Sequence, residues 1–141
     1  MTVRFEHAGV SDIPVIFAQA KELIDTYEDV SSIDYDKVLA WVKRKITEHI
    51  SEYRCAVVDD KKCAFWRLCA DGELDDLYVL PAFRGMGIGT QIMEKCMEES
   101  EKTIYLYVFS RNIRAISFYE RFGISACRAV SPTRIIMGRC G

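Results

Sequence analysis

The stretch Arg84 to Thr90, RGMGIGT, places glycine at 85, 87 and 89, behind an apolar segment that stops at Pro81 and ahead of Ile88, Ile92 and Cys96 at helical spacing. A glycine-rich turn between a strand and a helix presents unpaired backbone N–H groups and the positive end of the helix dipole, which together bind an anion. Glycine suits such a turn because a Cβ obstructs left-handed backbone angles and the approach of a ligand to the main chain. Two nucleotide-binding patterns are excluded by residue type. No glycine is followed by the lysine of GxxxxGK[ST], and GxGxxG demands glycine at position 90, where Thr90 stands. What remains is an anion cradle, or a turn that only lets the helix pack closely. Just upstream lie Glu73, Asp75 and Asp76. Side chains alternate along a strand, so Glu73 and Asp75 are expected on one face and Asp76 on the other. No metal centre is expected: Cys55, Cys63, Cys69, Cys96, Cys127 and Cys140 include no CxxC pair, and His7 and His49 lie far apart. Free thiols are expected instead, because an apolar core of this size needs no disulfide staples.

These groups need a frame. Val3 to Ala8 alternates as a strand; Ser11 or Asp12 then caps a helix with Pro14 in its first turn and Ile13, Phe17, Ala20 and Ile24 on one face. The polar stretch DTYEDVSSIDYD reads as an exposed connection to a second helix carrying Val38, Val42 and Ile46. Arg54 to Val58 and Cys63 to Leu68 form a hairpin across Asp59-Asp60-Lys61-Lys62, and Glu73 to Leu80 is a further strand. Of the adjacent Phe65 and Trp66, one is expected to face outward, where it could serve a homodimer. Trp41 is expected in the core or an interface. Ile104 to Phe109, IYLYVF, is apolar on both faces and reads as a doubly covered strand. Asn112 caps a short helix that Gly123 stops, and Ser125 to Val130 with Arg134 to Met137 closes the chain as a hairpin. Residues 1–141 are thus expected to form one α/β domain, a mixed sheet with helices on its faces.

Two blocks carry a resemblance. LDDLYVLPAFRGMGIGTQIM resembles the acyl-CoA pyrophosphate motif, [RQ]xxGxG/A after a strand ending in valine, of the GNAT superfamily of N-acyltransferases, with Arg84, Gly87 and Gly89 at its fixed positions. NIRAISFYERFGI is similar to the second family block, with Asn112, Ala115, Phe118, Tyr119 and Gly123 in place and Ile124 where phenylalanine is usual. The resemblance implies a GNAT-like fold: about seven mostly antiparallel strands, splayed between the fourth and fifth after Val79, and about four helices. It implies acetyl-CoA as cofactor. Backbone N–H groups of Arg84, Gly85, Met86, Gly87, Ile88, Gly89 and Thr90 would hold the pyrophosphate, and Leu77, Tyr78 and Val79 would pair with the pantetheine arm. A main-chain N–H at or near Leu77 would face the thioester carbonyl. Tyr119 stands where the family commonly has its general acid, and Glu73, then Asp75, are the candidates for the base.

The region joining the first two helices usually lines the acceptor site in such proteins. Here Asp25, Glu28, Asp29, Asp34 and Asp36 accompany Tyr27 and Tyr35 with no intervening Lys or Arg. Tyr27, Asp34 and Tyr35 are therefore expected to contact a small cationic amine through charge and cation–π attraction. A protein lysine or N-terminus is the alternative acceptor, and an acyl-CoA-binding module without turnover is the rival from another class. A net charge of -2 with scattered basic residues argues against nucleic acid, and no run is long and apolar enough to span a membrane, so a cytoplasmic location is expected.

Overall fold

The β-strands of the computed structural model, which describes residues 2–139, fall into two antiparallel sheets. One runs β1 (Arg4–His7), β2 (Arg54–Val58), β3 (Lys61–Leu68) and β4 (Leu74–Val79) in that order. The other runs β5 (Leu106–Phe109), β7 (Arg134–Gly138) and β6 (Ser125–Ala129). Four α-helices accompany them: α1 (Ile13–Tyr27), α2 (Tyr35–Glu48), α3 (Ile88–Glu99) and α4 (Ile113–Glu120). No described helix is long and apolar enough to cross a membrane.

Local chemistry accounts for the turns. Asp59 and Asp60 both take positive φ, 51° and 61°, the pairing that a two-residue hairpin requires. The turn is therefore shorter than expected, and Lys61 and Lys62 join β3. Asp12 heads α1 with only 6% of its surface exposed; its carboxylate accepts from the Gly9 N–H at 2.8 Å and from Lys62 Nζ at 2.9 and 3.0 Å. Asn112 accepts from the Ala115 N–H at 3.2 Å, as its capping role demands. Gly123 ends the following turn at φ +78°.

The first sheet is covered on both faces. Ile16, Ala20 and Ile24 of α1 and Val42 and Ile46 of α2 pack with Phe65 on one side, while Ile88, Ile92, Met93 and Cys96 of α3 pack with Ala64 and Trp66 on the other. Phe65 and Trp66 do point to opposite faces, yet each is 1% exposed. This corrects the expectation of an outward aromatic there and removes the feature that favoured a dimer. Trp41 is the exposed one, at 56%. The reading of β5 as doubly covered also needs correction: Leu106 and Val108 are buried, but Tyr107 is 40% exposed. Cys55, Cys63, Cys69 and Cys96 are free thiols, whereas Cys127 is disulfide-bonded, contrary to expectation; Cys140 lies outside the described residues.

Strands β4 and β5 run parallel and meet at one bridge, Glu73 to Tyr105, where the Leu74 N–H donates to Tyr105 O at 2.9 Å and the Tyr105 N–H to Gly72 O at 3.1 Å. Only glycine fits this vertex, because a Cβ on Gly72 would meet Thr103 O at 2.4 Å. Beyond the bridge the two sheets part. The splay thus opens at the start of β4, one strand length before Val79 where it was expected.

Candidate active site

The splay bounds a cleft of about 1220 Å³ that runs from the glycine loop, between β4 and β5, to α1, α2 and the turn joining β6 to β7. At one end Gly85 and Gly87 both hold φ +78°, and a Cβ built on either meets nothing within 4 Å. The space above the main chain is open. Gly87 caps α3 without any side-chain hydrogen bond, and the first helical bond, Gln91 N–H to Gly87 O, leaves Ile88, Gly89 and Thr90 free to donate. Gly89 has another duty: its Cβ position lies 3.3 Å from the Phe118 ring and 3.7 Å from a Val79 methyl, so glycine there lets α3 pack against α4 and β4. The packing reading of the loop thus applies at Gly89, while the space over Gly85 and Gly87 is open. Arg84 lines the cleft and donates from Nε to Val79 O at 3.2 Å. Met86 does not line it and is 44% exposed. Arg114 and Arg121, beside the loop, also line it and were not anticipated.

Strand β4 aims its main chain into the cleft. Leu80 N–H donates to Cys63 O at 2.8 Å, and the register Val79 to Ala64, Tyr78 to Phe65 and Leu77 to Trp66 follows from it. Antiparallel pairs alternate between bonded and non-bonded, so Tyr78 bonds to β3 while Leu77 and Val79 turn their N–H groups away from β3, toward β5. The Tyr78 side chain is 9% exposed and its hydroxyl donates to Asp76 at 2.6 Å.

A β-bulge rearranges the acids. Arg67 faces Asp76 and Leu68 faces Leu74, which leaves Asp75 without an opposite residue. The expected alternation fails as a result: Asp75 and Asp76 turn to the same partner, Lys45 Nζ, at 2.9 and 3.0 Å. Asp75 also accepts from Arg67 at 2.8 Å, and Asp76 from Tyr53 and Tyr78. Two acids and two bases neutralise each other here. Glu73 differs. Its carboxyl has no hydrogen bond or ion pair within the described residues, and burial, then the nearby Asp75 and Asp71, push its pKa up from the usual carboxylate range. Of the two candidate bases, Asp75 is held by Lys45 and Arg67, whereas Glu73 keeps an unengaged carboxylate whose proton affinity is raised.

Tyr119, half-buried on α4, packs edge-on against Phe118 with ring centroids 5.2 Å apart, and both line the cleft with Asn112 and Ala115. Its hydroxyl has no partner among the described residues. Burial, with smaller contributions from Cys96 and Asp76, raises its pKa well above that of a free phenol, so it stays protonated at neutral pH.

The acidic connection is not the wall that the sequence pointed to. Tyr27 lines the cleft and stacks on Phe109 at 6.4 Å, but Asp34 and Tyr35 do not line it. Asp34 caps α2 through the Lys37 N–H, Asp29 accepts from Ser31, and Asp25 pairs with Lys21 at 2.7 Å and with the Tyr35 hydroxyl at 2.5 Å. These acids serve local turns. The far end of the cleft is lined instead by Glu22, Glu28, Trp41, Tyr107, Phe109 and Arg134. Of these six only Glu28 belongs to the acidic pattern of the sequence; the other five come from α1, α2, β5 and β7, which only the fold brings together.

The family model described as "Acetyltransferase (GNAT) family" matches residues 17–124. An uncharacterized N-acetyltransferase of Archaeoglobus fulgidus is 46% identical over 52 residues, 34% of this chain and 35% of that protein, so the match spans about a third of the relative's length. Among solved structures, the PaiA N-acetyltransferase of Thermoplasma acidophilum in complex with coenzyme A aligns over 100% of both chains, with a TM-score of 0.71 and 21% identity. Apo YjaB from Escherichia coli aligns over 100% of this chain and 99% of its own, with a TM-score of 0.72 and 18% identity. At these identities the two structures establish a shared fold.

Proposed function

The chain belongs to the GNAT family of acetyltransferases, and on that premise we propose that it transfers an acetyl group from acetyl-CoA to a primary amine of an acceptor held in the cleft. The observation that carries this reading is one continuous cleft with free N–H groups at the glycine loop, Leu77 and Val79 N–H groups along its side, and unpartnered Glu73 and Tyr119 lining it. The open space over Gly85 and Gly87 and the uncapped start of α3 suit a pyrophosphate, and Arg84, Arg114 and Arg121 add positive charge around it. Acetyl-CoA supplies an activated thioester carbonyl. The Leu77 N–H is the donor for charge developing on the carbonyl oxygen. Glu73 accepts a proton from the amine, directly or through water, and the Tyr119 hydroxyl gives one to the departing sulfur.

Tyr27 and Trp41 together with Glu22, Glu28 and Glu73 in the cleft lining favour an acceptor whose amine is cationic in solution. Asp29, Asp34 and Asp36 of the α1–α2 connection do not line the cleft and have no part in this. Replacing Asp34 and Asp36 with asparagine is accordingly expected to leave the acceptor KM unchanged, and asparagine caps α2 about as well as aspartate; steady-state kinetics on the double variant checks it. The reading as a whole is tested by amine-dependent release of CoA thiol across an amine panel. Release that tracks the amine is expected. Acetyl-CoA binding without release for any amine would instead describe a binding module.

A further inference from the structure

Arg134 is the basic residue of the cleft that the chemistry above does not use. Lys45 is neutralised by Asp75 and Asp76, and Arg84, Arg114 and Arg121 belong to the loop and α4. The Arg134 guanidinium lies over the Tyr107 ring at 5.4 Å and the Phe109 ring at 5.8 Å, and Phe109 also stacks with Tyr27. No carboxylate of the described residues lies within ion-pair distance of it. The neighbouring Glu28 is held through its Oε1, which accepts from the Thr133 hydroxyl and the Asp29 N–H. A guanidinium held over two rings is already restrained, so less side-chain freedom is lost when it binds a planar, bidentate anion.

We propose that Arg134 recognises a carboxylate on the acceptor, so that the acceptor is an extended molecule with its amine at one end and a carboxylate at the other. This rests on reading the cleft as an acyl-transfer site. The strand register sets the length. Arg134 pairs with Phe109, whereas Glu73 bridges to Tyr105, four residues back along β5, a separation of about 13 Å between the two levels. An α-amino acid, whose amine and carboxylate share one carbon, cannot reach both. A chain of several methylenes can. The carboxylate also explains how the cleft keeps one uncompensated cation: the amine end of the acceptor meets Glu73 and the carboxylate end meets Arg134.

The test compares ε-aminocaproate, its neutral amide and glycine as acceptors for wild type and Arg134→Gln, a substitution at an exposed side chain whose fold is checked by melting temperature. Wild type is expected to favour ε-aminocaproate over the amide by about 10- to 100-fold in kcat/KM and to use glycine poorly. Arg134→Gln is expected to erase that preference while leaving the amide's kcat/KM and the acetyl-CoA affinity unchanged, and Arg134→Lys to restore only part of it. Equal use of acid and amide by wild type, or an equal loss on both in Arg134→Gln, overturns the proposal. Calorimetric binding of ε-aminocaproate in the presence of CoA decides the matter even without turnover. If no amine is acetylated, binding that Arg134→Gln abolishes supports the carboxylate site while contradicting acyl transfer; absent binding, or binding equal in both proteins, overturns the site itself.

Discussion

Glu73→Gln is expected to lower kcat/KM by roughly 10²-fold at neutral pH and, in the same protein, to raise the melting temperature. The two effects share one cause. Burial and the neighbouring Asp75 and Asp71 raise the Glu73 pKa in the fold, so the folded state favours the protonated carboxyl more than the unfolded chain does. A raised folded pKa contributes stability that is complete below the unfolded value, about 4.3, and is lost as pH rises through the folded one. At neutral pH the ionised carboxylate therefore opposes folding, and glutamine, which does not ionise, relieves that. The gain in melting temperature should vanish in acid, below the unfolded pKa. For the rate the sign is opposite: the base must be ionised, so wild-type kcat/KM falls as pH drops through the raised pKa, and Glu73→Gln loses that limb. Melting curves and pH–rate profiles check both, and a variant that keeps the acid limb removes Glu73 from the base role.

Tyr119→Phe is expected to reduce kcat by about 10²-fold with acetyl-CoA affinity nearly unchanged. The hydroxyl is the only atom removed. The ring keeps its edge contact with Phe118, which in turn packs on Gly89, so the loop that would hold the pyrophosphate is undisturbed. Because the phenol has no hydrogen-bond partner among the described residues, its loss leaves no buried group unsatisfied, and stability should hardly move. The raised pKa keeps the proton in place throughout the neutral range, as a proton donor to a leaving thiolate requires. Single-turnover rates and calorimetric Kd separate the two quantities. A kcat equal to wild type would leave the thiolate to be protonated by solvent.

Features that depend on neighbouring residues were legible in the sequence. The turn glycines, the Asn112 cap, the place of the β2–β3 hairpin though not its two-residue length, and the stop at Gly123 each follow from backbone chemistry within a few positions. Features set by distant contacts were not. Alternation placed Asp75 and Asp76 on opposite faces, but a bulge against Arg67 and Leu68 turns both to Lys45, thirty residues away on α2. Phe65 and Trp66 do face opposite ways; what the sequence did not carry was that helices cover both faces of β3. The acids between α1 and α2 looked like a binding wall because their local partners, a helix cap, a turn and Lys21, use up their charge in ways composition does not reveal. Arg134 drew no notice, since its surroundings depend on β7 pairing with β5 and on Tyr27 stacking from α1.

The central claim is that the cleft between β4 and β5 receives acetyl-CoA with its phosphates at the glycine loop. Amide chemical shifts of nitrogen-labelled protein, followed during titration with acetyl-CoA, address it most directly. The largest changes are expected at Gly87 to Thr90 and at Leu77 and Val79, whose N–H groups face the cleft, with Asp34 and Tyr35 unmoved. Changes that spare the loop and gather away from these strands would contradict the account.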